Sequence, residues 1–416
     1  MPKYSVYPFS IALLAAITTA PALALEIKTH GITDIRISHA QTSQSYLTAG
    51  YGKFTNNDGS SVSIAQLGTE TDISFNSRFG AKLVLNGYFQ ADETALGMTE
   101  AYFKYRSLPS ANGWRAEAKA GIFYPKISLE NNAFAWASIN SLNASMINTW
   151  VGEEIRLTGA ELKLSRLGKL SGHDYDISLT TAAFVNNDPA SALLSWHGWT
   201  TGSRQAIWGE SLAFALPDAT QPGGHLAGQA RSSQPFAEID HRLGYQWQID
   251  YRQPSWGALN LGYYDNRAKS HIVSDGQYGW GTQFGYAGAK IKLANNVTLT
   301  AQYLQGSNLM QSPDKQDVVN NTYQSGFVML SKRIDKHRYA LRLEEFQVVD
   351  RDQTVGDDNN EYGKALTVNY SYRYAKPLFL VAEFNIVKSE RPSRAYQNLD
   401  VTTTERQIQF AARYFF

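Results

Sequence analysis

The stretch Arg242-Leu-Gly-Tyr-Gln-Trp-Gln-Ile-Asp-Tyr-Arg252 decides the fold. In an extended chain successive side chains point to opposite faces. Leu243, Tyr245, Trp247, Ile249 and Tyr251 therefore share one face, and Arg242, Gln246, Gln248, Asp250 and Arg252 share the other. A helix would scatter both rows around its circumference. The pattern recurs. Ala116, Ala118, Ala120 and Ile122 oppose Arg115, Glu117 and Lys119. Leu366, Val368, Tyr370, Tyr372 and Tyr374 oppose Thr367, Asn369, Ser371 and Arg373, and Leu378, Leu380, Ala382, Phe384 and Ile386 form another apolar row. Apolar rows that mix Ala, Leu, Tyr and Phe, with Tyr crowded at strand ends, suit a wall between lipid and water better than a packed sandwich core.

Working outward, strand centres fall near residues 35, 72, 84, 102, 118, 160, 179, 246, 262, 286, 301, 328, 342, 368, 382 and 410. Short turns, among them Asn76-Ser77, 108–113, 253–256, Asp335-Lys336 and Ala375-Lys376, alternate with long connections. The long ones are expected at 39–66, 90–97, 123–153, 185–239, 268–278, 307–322, 350–361 and 389–402. Short turns on one rim and long loops on the other predict an all-β, antiparallel, up-and-down transmembrane barrel of about sixteen strands. A further pair in 39–66, where Tyr46 to Phe54 is strand-like, or in 185–239 would raise the count to about eighteen.

Composition agrees. After the first two dozen of the 416 residues, no apolar run approaches the roughly 18 residues of a membrane-spanning helix. There is no cysteine, which excludes disulfides, thiolate metal sites and Cys nucleophiles. The net charge of +1 makes nucleic acid an unsuitable partner. No cofactor motif is present. Lys3, the apolar segment Ile11–Thr18 and Ala22-Leu23-Ala24 form a secretory signal, so residues 1–24 are expected to be removed and the barrel to occupy 25–416.

The last strand reads Gln407-Ile-Gln-Phe-Ala-Ala-Arg-Tyr-Phe-Phe416, with Ile408, Phe410, Ala412, Tyr414 and Phe416 on one face. A terminal Phe after alternating apolar residues resembles the recognition signal of outer-membrane barrels. With the signal peptide and the alternation, the mature chain resembles bacterial porins throughout its length. The segment Ala120-Gly-Ile-Phe-Tyr-Pro-Lys-Ile-Ser-Leu-Glu130 is similar to the entry of the third loop in phosphate-selective-type porins, which carry Gly-x-Phe followed by Ser-Leu-Glu. The resemblance implies a water-filled, outer-membrane channel for passive diffusion of small hydrophilic solutes. It further implies a homotrimer, contact with outer-membrane lipid and lipopolysaccharide, and recognition of Phe416 by the barrel assembly machinery.

In such a channel the chemistry is the pore. Loop 123–153 is the candidate constriction, and its Lys126, Glu130 and Glu153, with Glu154 beyond it, would face the wall. By strand parity the lumen is expected to hold Arg36, Lys104, Arg106, Arg115, Lys119, Arg156, Arg242, Arg252 and Arg373. Cations modestly outnumber anions there, which predicts weak anion preference. Loop 185–239, with Trp196, Trp199 and Trp208, is expected to be an extracellular cap; an inward plug is the other reading. Asp357-Asp-Asn-Asn-Glu361 is expected to be a solvated loop rather than a cation site.

The rivals are a barrel hydrolase and a non-conducting adhesin or structural barrel. His173, His197, His225, His241 and His271 sit in no recognisable Ser-His-carboxylate arrangement, so the chain is expected not to be an enzyme. An energy-coupled receptor needs a large N-terminal plug domain, whereas alternation here begins at Thr33.

Overall fold

The computed structural model describes residues 25–90 and 93–416, so the expected signal peptide lies outside the described residues. The chain forms a closed antiparallel barrel of sixteen strands in simple up-and-down order. These are β1 Glu26–Gln41, β2 Gly59–Ser74, β3 Phe79–Phe89, β4 Thr94–Arg106, β5 Trp114–Phe123 and β6 Leu157–Arg166. They continue as β7 Asp176–Val185, β8 Gly244–Gln253, β9 Gly257–Asp265, β10 Gly281–Lys292 and β11 Val297–Gln311. The ring ends with β12 Asp317–Ile334, β13 His337–Asp350, β14 Glu361–Arg373, β15 Leu378–Glu390 and β16 Thr402–Phe415. Strand β16 pairs with β1 from Ile32↔Phe415 to Gln41↔Arg406, which removes both open edges.

The alternation has the expected sense. Leu243 and Tyr245 lie 58% and 40% exposed on the outer wall, whereas Gln246 and Gln248 are buried inside. Ile37, Phe103, Leu164, Leu261, Leu343, Val368 and Phe410 continue an apolar exterior around the ring. In water such a surface would be a large aggregation liability; in lipid it is the favourable face.

Several connections are shorter than expected. Loop 1 covers 42–58 because β2 already starts at Gly59. Within it Tyr46–Thr48 is a 3₁₀ turn and not part of an added strand pair. The connection expected at 90–97 shrinks because β4 begins at Thr94. That expected at 307–322 shrinks because β11 and β12 zip up to Gln311↔Asp317. In each case residues that read as loop are hydrogen-bonded strand extensions. Loop 4 runs from 186 to 243 and carries the two-residue hairpin Leu212–Ala213 with Ser232–Ser233.

Candidate functional site

The connection from β5 to β6, loop 3, crosses the lumen. Its helix α1, Met146–Glu154, is capped by the Ser145 hydroxyl, which accepts from Asn148 N–H, and every residue of the helix is buried. A dense network pins the loop to the wall made by β13, β15, β16 and β1. Arg342 on β13 donates to Glu130 at 3.0 Å and to Glu344 at 2.8 Å. Glu383 on β15 accepts from the backbone N–H groups of Leu142 and Asn143 at 2.6 and 2.9 Å. Arg413 on β16 donates to Ser138 O at 2.7 Å. Arg36 pairs with Asp34 at 2.8 Å and donates to Asn143 and to Leu142 O.

The first residues of loop 4 also enter the barrel, which corrects the expectation of an extracellular cap. Leu193, Leu194, Trp196 and Trp199 are fully buried. Helix α2, Ala192–His197, packs on α1, and Glu154 accepts from the N–H groups of Leu193 and Leu194 at 3.1 and 3.3 Å. Trp150 packs edge-on against Trp199, Phe284 and Tyr323. The inward faces of β10–β14 supply Phe284, Leu304, Phe327, Met329, Phe346, Val348 and Ala365 to the same core. The cause is burial of apolar area: tryptophans that have no partner outside find one inside the ring. Trp208 is 47% exposed, its N–H donating to Met98 O on β4 at 2.7 Å.

Loop 1 closes the mouth. Lys53 and Glu361 form a fully buried ion pair, and Glu361 also accepts from Trp199 N–H at 2.8 Å. Asp357 is buried as well, accepting from Asn359 at 2.6 Å. The 357–361 segment is therefore not the solvated loop expected; it clamps loops 1 and 4.

Below loop 3 lies a polar cavity of about 540 Å³. Lys104, Arg106, Glu117, Lys119, Glu161, Lys163 and Asp250 line its walls, and Lys126, Ser128, Leu129 and Asn132 form its roof. Its charges are largely paired. Lys104 meets Asp72, Arg106 and Arg115 share Glu117 at 3.1 and 3.7 Å, Lys119 meets Glu161 at 3.2 Å, and Lys163 meets Asp250 at 3.8 Å. Lys126 makes no ion pair among the described residues, and neither does Arg78 at the floor, while Arg106 and Arg115 share one carboxylate, so cations exceed acids around the cavity.

The expected pore residues thus divide. Lys104, Arg106, Lys119 and Lys126 line the cavity, and Arg115 joins them through Glu117. Arg36, Glu130 and Glu154 are buried structural groups that hold the loops. Arg156 is buried beneath Phe236, its guanidinium 3.7 Å from the ring centroid. Arg242 precedes β8 at the extracellular end, and Arg252 and Arg373 lie beside the short turns on the opposite rim. None of these three is brought to the loop 3 region. Parity placed them, but height along the strand decides what they reach.

Glu153 differs from the other buried acids. It lies at the end of α1 beside the Tyr46 hydroxyl of loop 1. Its Oε2 is 3.9 Å from His197 Nε2. His197 Nδ1 donates to Gly198 O at 2.8 Å, so Nε2 turns a lone pair toward Glu153. Burial pushes the Glu153 carboxyl up to about 8 and the His197 imidazole down to about 3.

A closed sixteen-strand barrel with an apolar exterior, short turns at one rim and a third loop folded across a polar lumen defines the bacterial outer-membrane porin fold. Solved structures of this class align with nearly the whole chain. The outer membrane channel DcaP of Acinetobacter baumannii covers 96% of this chain over 99% of its own length, at TM-score 0.56 and 10% identity. The anion-selective porin from Comamonas acidovorans covers 94% over 100%, at TM-score 0.52 and 11% identity. Salmonella typhi OmpF covers 94% over 97%, at TM-score 0.50 and 12% identity. No family model and no curated protein matches the sequence.

Proposed function

We propose that this protein is a bacterial outer-membrane channel for passive diffusion of small hydrophilic solutes, with weak anion preference and no enzymatic activity. The polar cavity beneath loop 3, inside a ring whose outside is apolar, carries the reading. Such a ring in a bilayer has one use for a wet interior, which is to let polar molecules cross. The unpaired Lys126 at the cavity roof supports the anion preference. The similarity to an outer membrane channel and a porin supports a place in the outer membrane; contact with lipid and lipopolysaccharide, assembly through Phe416 and a homotrimeric state are part of the same proposal. The loops packed across the mid-lumen favour a small conductance, and they also favour a second reading as a non-conducting structural barrel.

Reconstitution into planar bilayers separates the two. Discrete steps in KCl, with a reversal potential on the anion side in a salt gradient, are expected. Silent bilayers at every protein density would leave the structural barrel, and a clear cation potential would remove the anion preference.

A further inference from the structure

The outer wall is not evenly bulky. Strand register carries one outward row from Ile249 on β8 through Ala287 on β10 and Gly326 on β12 to Lys364 on β14. The next row runs from Tyr251 on β8 through Ala289 on β10 and Ala301 on β11 to Leu343 on β13. Where both rows cross β10–β12 the side chains shrink to Ala and Gly, and the wall dips into an apolar groove of about 1150 Å³. Leu259 and Leu261 bank it on one side, Val328 and Leu343 on the other. Strands tilt in a closed barrel, so a row in register climbs the wall. Tyr251 stands two residues before the end of β8, at a short turn, whereas Lys364 stands three after the start of β14, beneath the connection 351–360. The groove therefore rises from the short-turn rim toward the extracellular rim.

Its upper end is polar. The Tyr303 hydroxyl donates to Gln324 at 2.9 Å, Gln324 donates to Gln347 at 3.1 Å, and the Tyr362 hydroxyl donates to Glu345 at 2.9 Å. Beyond them Lys364 stands directly opposite Lys388 on β15, and Arg406 on β16 is in register with Ile386, the outward residue just below Lys388. Lys388 and Arg406 are exposed and make no ion pair among the described residues, and Lys364 has only Glu345, 3.9 Å away. Glu390 is the other outward acid here, so three cations meet two acids. Two lysines directly opposite each other repel unless an anion stands between them. A second outer dip, of about 660 Å³ beside Phe103, Ala118 and Ala160, lacks this feature: the charged residues next to it, Lys104, Lys119 and Glu161, line the cavity inside.

We propose that the groove over β10–β12 and the cations at its upper end form a binding site for one phosphorylated glycolipid of the outer leaflet. An acyl chain lies along Ala287, Ala289, Ala301 and Gly326, and a headgroup phosphate rests on Lys364, Lys388 and Arg406. The inference rests on the outer-membrane reading and gives it a place of binding and a headgroup chemistry. Small outward residues let an apolar chain lie close to the backbone, and a dip left empty loses those dispersion contacts. A basic cluster at the height of the headgroups attracts phosphate. The carboxylates of Glu345 and Glu390, with Gln324 and Gln347, suit sugar hydroxyls, which a simple phospholipid does not offer.

Full-length protein, refolded in detergent free of lipopolysaccharide and checked for heat-modifiable migration, is titrated with diphosphorylated lipid A, phosphatidylglycerol or phosphatidylethanolamine, and adducts are read by native mass spectrometry. Saturable binding of one lipid A per chain is expected, with both phospholipids at least about tenfold weaker. Lys388→Gln with Arg406→Gln removes phosphate contacts, and Ala289→Phe fills the groove. Each is expected to weaken lipid A binding at least about tenfold, while Leu164→Phe, elsewhere on the outer wall, leaves it unchanged. No lipid A adduct on the wild type, equal retention of lipid A and either phospholipid, or adducts indifferent to both changes would overturn the site. A shift of oligomer mass in Ala289→Phe with lipid A binding intact would overturn it as well, and would give the groove to a second copy of the chain. The wild-type titration decides the proposal even where a variant fails to fold. Lipid adducts are counted independently of current, so a failure here is distinct from a failure of the channel reading, which the wild-type conductance tests.

Discussion

The guanidinium of Arg342 on β13 lies 3.0 Å from the carboxylate of Glu130 in loop 3, across 212 residues of sequence and the interior of the barrel. The same side chain donates to Asn143 O at 3.0 Å and Ala144 O at 3.1 Å, so one arginine fixes both ends of the segment that leads into α1. Replacing Arg342 by Met removes the partner of two buried acids, Glu130 and Glu344. A loss of about 3–5 kcal/mol is expected. Unfolding in detergent should shift accordingly, and current through the channel should become larger and noisier as loop 3 loosens. An unchanged midpoint would show that the pin is dispensable.

Lys126 is a cavity cation with no ion pair among the described residues, and Lys119 and Lys163 repel it. Lys126→Glu exchanges a surplus positive charge for a negative one at the roof. The reversal potential in a salt gradient should move toward cations by an easily resolved amount at low ionic strength, and less at high salt, where the charge is screened. If the two proteins share a reversal potential, the vestibule does not set selectivity.

Glu153 gives selectivity a pH dependence. Burial holds its carboxyl up at about 8, so it is neutral at pH 6 and anionic at pH 9. The groups facing it are Tyr46 from loop 1, His197, Arg204 and Glu210 from loop 4, and Glu154 on its own helix. Rising pH therefore adds a negative charge inside the lumen beside Tyr46 and Arg204, and anion preference should fall between pH 7 and 9. Glu153→Gln should be flat across that interval. The linked stability effect has the same direction: folded Glu153 keeps a proton that the unfolded chain has already released, so stability declines as pH rises from the ordinary glutamate range to about 8. A selectivity curve that is identical in the variant would assign the titration to another group.

Val368 lies exposed on the outer wall of β14 between Leu341 and Phe384, its neighbours in register. An arginine there should cost about 2–4 kcal/mol in a bilayer if the site is near the midplane. The adjacent Asn369 faces inward and is bonded to Glu383 at 2.9 Å, so its parity is opposite. Refolding yield into lipid vesicles measures the effect. Val368→Arg folding as well as wild type would mean that this face does not meet lipid.

The ring itself was legible in the sequence because period two is a local property. Gln246 and Gln248 declare their side through Tyr245 and Trp247, with no help from the rest of the chain. The sixteen-strand count followed from the same rule. The contents of the ring were not legible. Nothing near Lys53 points to Glu361, and nothing near Leu193 points to Glu154; those partners are chosen by three-dimensional proximity after closure. Loop 4 looked like a cap because length and tryptophan content suit a cap and a plug equally. An inward arginine on a porin-like wall suggests a wet lumen, whereas Arg36 is covered by Asn143 and Ser203. The one available hint was the apolar inward face at Leu304, Tyr323 and Phe327, which breaks the polar row that water would require.

Phe416 N–H donates to Gly31 O at 3.1 Å, and Gly31 N–H donates to Phe416 O at 2.9 Å. Phe416 is thus the clasp on Gly31, at the foot of the β1–β16 seam. Every other strand pair joins neighbours in sequence, so fifteen of the sixteen seams can zip locally, but the sheet remains an open strip with two unsatisfied borders until its two outermost strands meet.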